Sequence, residues 1–161
     1  MPRQPPLKNT YSTSTNTFNA IEKTLREHKA RSIMFDYAHD DSGHIIAMSF
    51  VLEVKKKMLS FRMPARIEQV EQIFLKRKKE SSSRWVSELT NTEKEQAYRT
   101  AWACIRDWLS AQFALADIGA VEVEEIFLPY LVNAQGQTFY EVMQERQFLL
   151  EAPRTIVEEE H

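Results

Sequence analysis

The chain is poor in the residues that many functional motifs require. It has three glycines in 161 residues. That excludes a glycine-rich phosphate loop and argues against a sandwich of many tight turns. Its one cysteine, Cys104, allows neither an internal disulfide nor a cysteine-based zinc site. A reducing, cytoplasmic setting fits. The apolar runs fall far short of the roughly 20 residues that span a bilayer, so no membrane partner is expected. Residues 1–16 are polar and proline-rich and do not resemble a signal peptide.

What is present suffices for a core. Hydrophobic residues make up 43% and charged residues 27%, the balance of a folded domain. The net charge of −2 conceals an asymmetry. Lys55 to Arg84 carries ten cations against three glutamates, a net +7. Asp117 to His161 carries ten carboxylates against two arginines, a net −8. Such polarity bears on partners and self-association rather than on fold, so a homo-oligomer is expected.

The pattern predicts an α+β chain: a helix, a three-stranded antiparallel meander, a helix, then a helical C-terminal half. The predicted organisation is a flexible arm (1–16), an α-β-β-β-α module (17–80), a linker (81–91), a helical region packed on the module (92–150) and an acidic tail (151–161). Asn19 and Glu22 suit a capping box for the first helix. Residues 32–38, 44–55 and 58–63 alternate apolar and polar side chains, as half-buried strands do. Asp40-Asp41-Ser42-Gly43 is a turn signal. Placing the second turn at Lys56-Lys57 pairs Tyr37 with Ile46, Phe35 with Met48, Ile33 with Phe50, Val54 with Leu59, Leu52 with Phe61, and Phe50 with Met63. All are apolar and on one face. The other face is also mildly apolar, through Met34, Ile45, Ala47 and Val51, and needs a cover: the C-terminal helices or a second copy of the chain.

Pro64 suits the first turn of the next helix. Thr92 with Glu95 forms a second capping box for a long helix that Gly119 ends. A helix over 123–132 and a last one from Thr138 follow. Trp102, Trp108, Phe113, Phe127, Tyr130 and Phe139 are expected to form the helical core.

Several constellations bear on chemistry. Asp36 followed by Glu53-Val54-Lys55 matches the Asp, Glu-x-Lys pattern with which restriction-endonuclease-like nucleases bind Mg²⁺, and Glu22 and Glu27 on an upstream helix add to the likeness. The strand pairing opposes it. Asp36 faces Ala47, six residues from Glu53, or roughly 20 Å along a strand. An exposed Glu–Lys pair at a strand end accounts for the motif. His39, His44, Asp40 and Asp41 share a hairpin end, where such residues ordinarily serve the turn. Cys104 has no histidine within helical reach to activate it. No catalytic residue, metal or cofactor is therefore expected.

The basic segment remains. Lys55, Lys56, Lys57, Arg62, Arg66, Lys76, Arg77, Lys78, Lys79 and Arg84 are placed to neutralise phosphates, and Trp85 to stack on a base. Helix-end cations that offset the macrodipole and lysines that blunt a hairpin tip give the same composition.

Two resemblances follow from particular residues. The order helix–strand–strand–strand–helix over roughly 18–80, with the stretch from Gly43-His44 to Val54, resembles the double-stranded-RNA-binding domain. That resemblance implies His44 near a minor groove and the start of the second helix on phosphates. The lysine pair that opens that helix in the family is missing, with only Arg66 nearby. The whole chain is also similar to uncharacterised small phage and prophage proteins. Glu22-Lys23 to Ser32-Ile33, Ala101-Trp102 to Asp107-Trp108, Phe127-Leu128-Pro129-Tyr130 and Gly136-Gln137-Thr138 carry this likeness. It implies a mobile-element setting and a role in DNA handling or in countering host defence. The expectation is a non-enzymatic accessory protein that binds DNA or RNA through residues 55–85. The alternative is an inhibitor of a host protein or a ligand sponge.

Overall fold

The structure is a computed structural model that describes residues 14–149. Of the expected arm (1–16), residues 14–16 instead open a helix and 1–13 lie outside the described residues, as does the acidic tail 151–161. Helix α1 (Ser14–Glu27) leads into strands β1 (Ala30–Tyr37), β2 (Ile45–Val54) and β3 (Lys57–Pro64). Helix α2 (Ile67–Ser81) follows, then the long α3 (Asn91–Asp117), a short α4 (Val123–Phe127) with a 3-10 turn (Leu128–Tyr130), and α5 (Phe139–Glu145). The sheet order is β1-β2-β3, an antiparallel meander. The fold class is thus α+β with a helical C-terminal half.

The first hairpin keeps the predicted register at its centre, with Ile33 opposite Phe50 and Phe35 opposite Met48. At its loop end a register shift places Tyr37 opposite Ile45 rather than Ile46. The second hairpin is displaced by two residues. Phe50 faces Phe61, Leu52 faces Leu59, and Met48 faces Met63. A displacement of two preserves the face, so the apolar side survives the change in partners. Its cause is the turn, which is Lys55-Lys56 rather than Lys56-Lys57. Both turn residues have left-handed backbones, with φ of 49° and 65°. A tight two-residue hairpin demands positive φ at both positions, which favours Asn-Gly over lysine. Lys56→Gly is therefore expected to stabilise the fold by about 0.5–1 kcal/mol, read as a higher urea midpoint at unchanged slope.

One face of the sheet carries the core. Met48, Phe50, Leu52 and Phe61 meet Ile21 and Leu25 of α1, Trp102, Leu109 and Phe113 of α3, and Phe127 of α4, all nearly or completely buried. The C-terminal helices therefore cover the face that α1 covers. On the other face Met34 and Met58 are exposed, beside the Arg62–Asp36 pair. Ile45 and Ala47, assigned to that face by alternation, are buried. The bulge turns Ile45 inward, into the core cluster.

Helix α3 is fastened at both ends. Thr90 and Glu93 form its capping box, just ahead of the predicted Thr92 and Glu95. At the other end Gly119 takes φ of 76° and the Ala120 amide donates to Leu115, a Schellman closure. His44 Nε2 lies 2.7 Å from Glu95 Oε2, and its ring stacks on Tyr98 at 4.0 Å. His28 Nε2 lies 3.0 Å from Asp117 Oδ1, and its ring stacks on Phe113 at 4.0 Å. Two imidazoles thus dock opposite ends of one helix onto α1 and β2.

Other boundaries differ from expectation. Asn19 lies inside α1, which begins five residues earlier than a cap at that position allows. Pro64 closes β3, and α2 begins at Ile67 after Arg66. The predicted 123–132 helix breaks at Leu128 because Pro129 lacks an amide donor, and Leu131 instead bridges to Phe61 on the β3 edge. Phe139 is 40% exposed and is not core.

Candidate nucleic-acid interface

The ten cations of residues 55–84 are not equally available, because carboxylates of other elements engage three of them. Lys55 Nζ lies 2.6 Å from Glu124 Oε1 at the hairpin tip. The bond from Glu124 raises the Lys55 ammonium above its ordinary range, and Glu122 and Glu125 add to the effect. The acidic C-terminal half thus neutralises the tip within the same chain. Lys56 and Lys57 stand exposed beside it. Arg62 is 3.3 Å from Asp36. Lys78 Nζ is 2.6 Å from Glu93 Oε1. Arg77 is half-buried between α2 and α3, near Phe74, Glu93 and Gln96. Arg66 is exposed at the far end of α2.

The exposed remainder is compact in sequence. Lys76 and Lys79 are exposed, and at a spacing of three they are neighbours on the last turns of α2. The chain then leaves the helix under control: the Ser82 amide and Ser81 hydroxyl both donate to the Lys78 carbonyl, and the Arg84 amide donates to Ser82 Oγ at 3.2 Å. Arg84 is exposed and Trp85 is 90% exposed. A tryptophan that open is unusual, since indole is normally withdrawn from water. Further along, Leu89 is buried and anchors the end of the loop.

The residues of the nuclease pattern are held apart. Asp36 faces Ala47 in the sheet and bonds Arg62, while Glu53 accepts from Arg31. Glu22 and Glu27 pair with Arg26 and Lys23 along α1. No group of three or more metal-ligating side chains occurs among the described residues. His44, which the RNA-binding likeness would place in a minor groove, is engaged with Glu95 and Tyr98. Partial desolvation pushes the thiol of the exposed Cys104 upward, and the Asp107 charge adds to it, the wrong direction for a nucleophile. Among the described residues no helix is long and apolar enough to cross a membrane.

The ion pairs have a pH signature. Hydrogen bonds from Lys78, Lys55 and Arg31 hold the Glu93, Glu124 and Glu53 carboxyls below the ordinary glutamate range. A depressed folded-state value contributes stability above the unfolded value, and the contribution is lost as pH falls through the folded one. The destabilisation caused by Glu93→Gln is therefore expected to be full at pH 7 and to shrink below about pH 4. Denaturant midpoints of the two proteins across pH 3–7 measure it, and a difference that grows on acidification contradicts the assignment.

No protein-family model, curated protein or solved structure matches the chain.

Proposed function

We propose that the protein is a nucleic-acid-binding accessory protein of the phage kind that its sequence resembles. Its contact surface is the C-terminal turn of α2 and the loop after it. Lys76, Lys79 and Arg84 neutralise phosphates, and Trp85 stacks on a base. The observation that carries this reading is the fully presented Trp85, set beside Arg84 at the end of a lysine-rich helical turn. An indole in water costs free energy unless a flat partner covers it. Every nucleobase offers such a face, and the neighbouring cations select an anionic strand. The hairpin tip contributes less than its composition suggests, because Glu124 engages Lys55 there.

Stacking requires unpaired bases, so single strands are the favoured ligand. Trp85→Ala is expected to weaken binding of a labelled single-stranded 20-mer by roughly 1–3 kcal/mol and to leave duplex binding nearly unchanged. Fluorescence anisotropy at about 50 mM salt reads this directly. Absence of binding to DNA and RNA of either strandedness at that salt sinks the proposal.

A further inference from the structure

The end of β3, the start of α2, α3, the 3-10 turn and α5 line an open cleft that has no part in the surface just described. Its volume is about 460 Å³, within the size range of small-molecule sites. The floor is α3, through Ala101, Cys104 and Ile105, and one wall is Met63 with Val70 of α2. Trp108, one turn further along α3, joins Tyr130 and Tyr140 in bringing three aromatic rings to the lining. Trp108 meets Tyr130 edge-on, with ring centroids 6.0 Å apart, and meets Phe127 edge-on beneath at 5.8 Å. The aromatic wall is therefore braced by the core. The charged groups of the lining are two. Arg66 brings a cation that has no hydrogen bond or ion pair among the described residues, and Glu141 brings a carboxylate. Glu141 already accepts from the Thr138 amide at 2.9 Å within the α5 capping box, which fixes its position.

We infer that this cleft binds a small, flat aromatic molecule bearing one anionic group, with its ring against Trp108 and Tyr130 and its anion on Arg66. The rings and aliphatic walls select a planar apolar body. A lone guanidinium at the mouth selects a carboxylate, sulfonate or phosphate. The single Glu141 carboxylate disfavours a second negative charge. Arg66 and Lys79 lie at opposite ends of α2, roughly 20 Å apart at 1.5 Å per residue. Failure of strand binding and failure of this site are thus separately readable.

The probe is 8-anilinonaphthalene-1-sulfonate, with the uncharged N-phenyl-1-naphthylamine as its counterpart. Saturable binding of one sulfonate per chain is expected, in the micromolar range. Arg66→Gln is expected to weaken the sulfonate by about tenfold or more and the neutral probe by less than about twofold. Cys104 is the single cysteine of the chain, so its rate of maleimide labelling reports occupancy without mutation. Saturating sulfonate is expected to slow that labelling at least about fivefold in the native protein, as burial of an exposed thiol requires. Cys104→Phe, which fills the floor, is expected to abolish binding of both probes while the melting temperature is retained. An unchanged labelling rate at saturation places the probe elsewhere and overturns the proposal, whether or not Cys104→Phe folds. Equal losses of both probes in Arg66→Gln overturn the anion assignment.

Discussion

Trp102→Ala is expected to remove about 4–5 kcal/mol of stability and to lower the melting temperature by roughly 10–20 °C. Trp102 is the largest of the completely buried side chains, at 1% exposure. Truncation leaves a cavity against Phe18, whose ring centroid is 4.9 Å away. It also removes a donor, because the indole Nε1–H bonds the Ile45 carbonyl at 3.0 Å. An orphaned buried carbonyl alone costs about 1–3 kcal/mol. Domains of this size hold about 5–15 kcal/mol, so the loss is about a quarter or more of the total. Trp102→Phe separates the two contributions: it keeps most of the volume and loses the hydrogen bond. A loss below about 2 kcal/mol for the alanine variant, by urea titration, would mean that α3 does not close the core as described.

Changing Lys76, Lys79 and Arg84 together to alanine is expected to reduce the affinity for a single strand by about 100-fold at 0.1 M salt, and to reduce the log–log salt slope by about 2. Each cation withdrawn from a single-strand phosphate at that salt costs roughly fivefold through counterion release. The triple change Lys55, Lys56 and Lys57 to alanine is its counterpart, and it is expected to act more weakly. Lys55 is already engaged by Glu124. If the tip variant instead carries the larger loss, the contact surface lies on the hairpin and the α2 assignment is wrong.

The strands were legible because a two-residue period survives almost any local exception. The register of the second hairpin was not. Nothing in Val54-Lys55-Lys56-Lys57-Met58 marks which two lysines turn, and no Asn or Gly is there to decide. Glu124, far along the chain in α4, holds Lys55 at the tip. The start of α3 shows the same limit: Thr90 with Glu93 and Thr92 with Glu95 both satisfy the capping pattern, and the structure has the first pair in the box. In the candidate interface, composition located the cations but not their partners. Glu93 and Asp36 come from other elements and engage Lys78 and Arg62 in ion pairs. The aromatic cleft was invisible, since β3, α2, α3, the 3-10 turn and α5 each supply only part of it. Trp85 was visible as a residue, but its exposure was not.

Ile45 sits where the first hairpin changes register, and both of its backbone groups are served by α3. Its amide donates to the Tyr98 hydroxyl at 3.1 Å, and its carbonyl accepts from Trp102. That amide is screened from solvent by a helix far downstream in the chain rather than by a neighbouring strand. Its deuterium uptake therefore times the lifting of α3 from the sheet, while central β2 amides time the opening of the sheet itself. Should Ile45 exchange no slower than an exposed loop amide, α3 detaches freely; should it match the slowest β2 amides, residues 14–149 open as one cooperative unit.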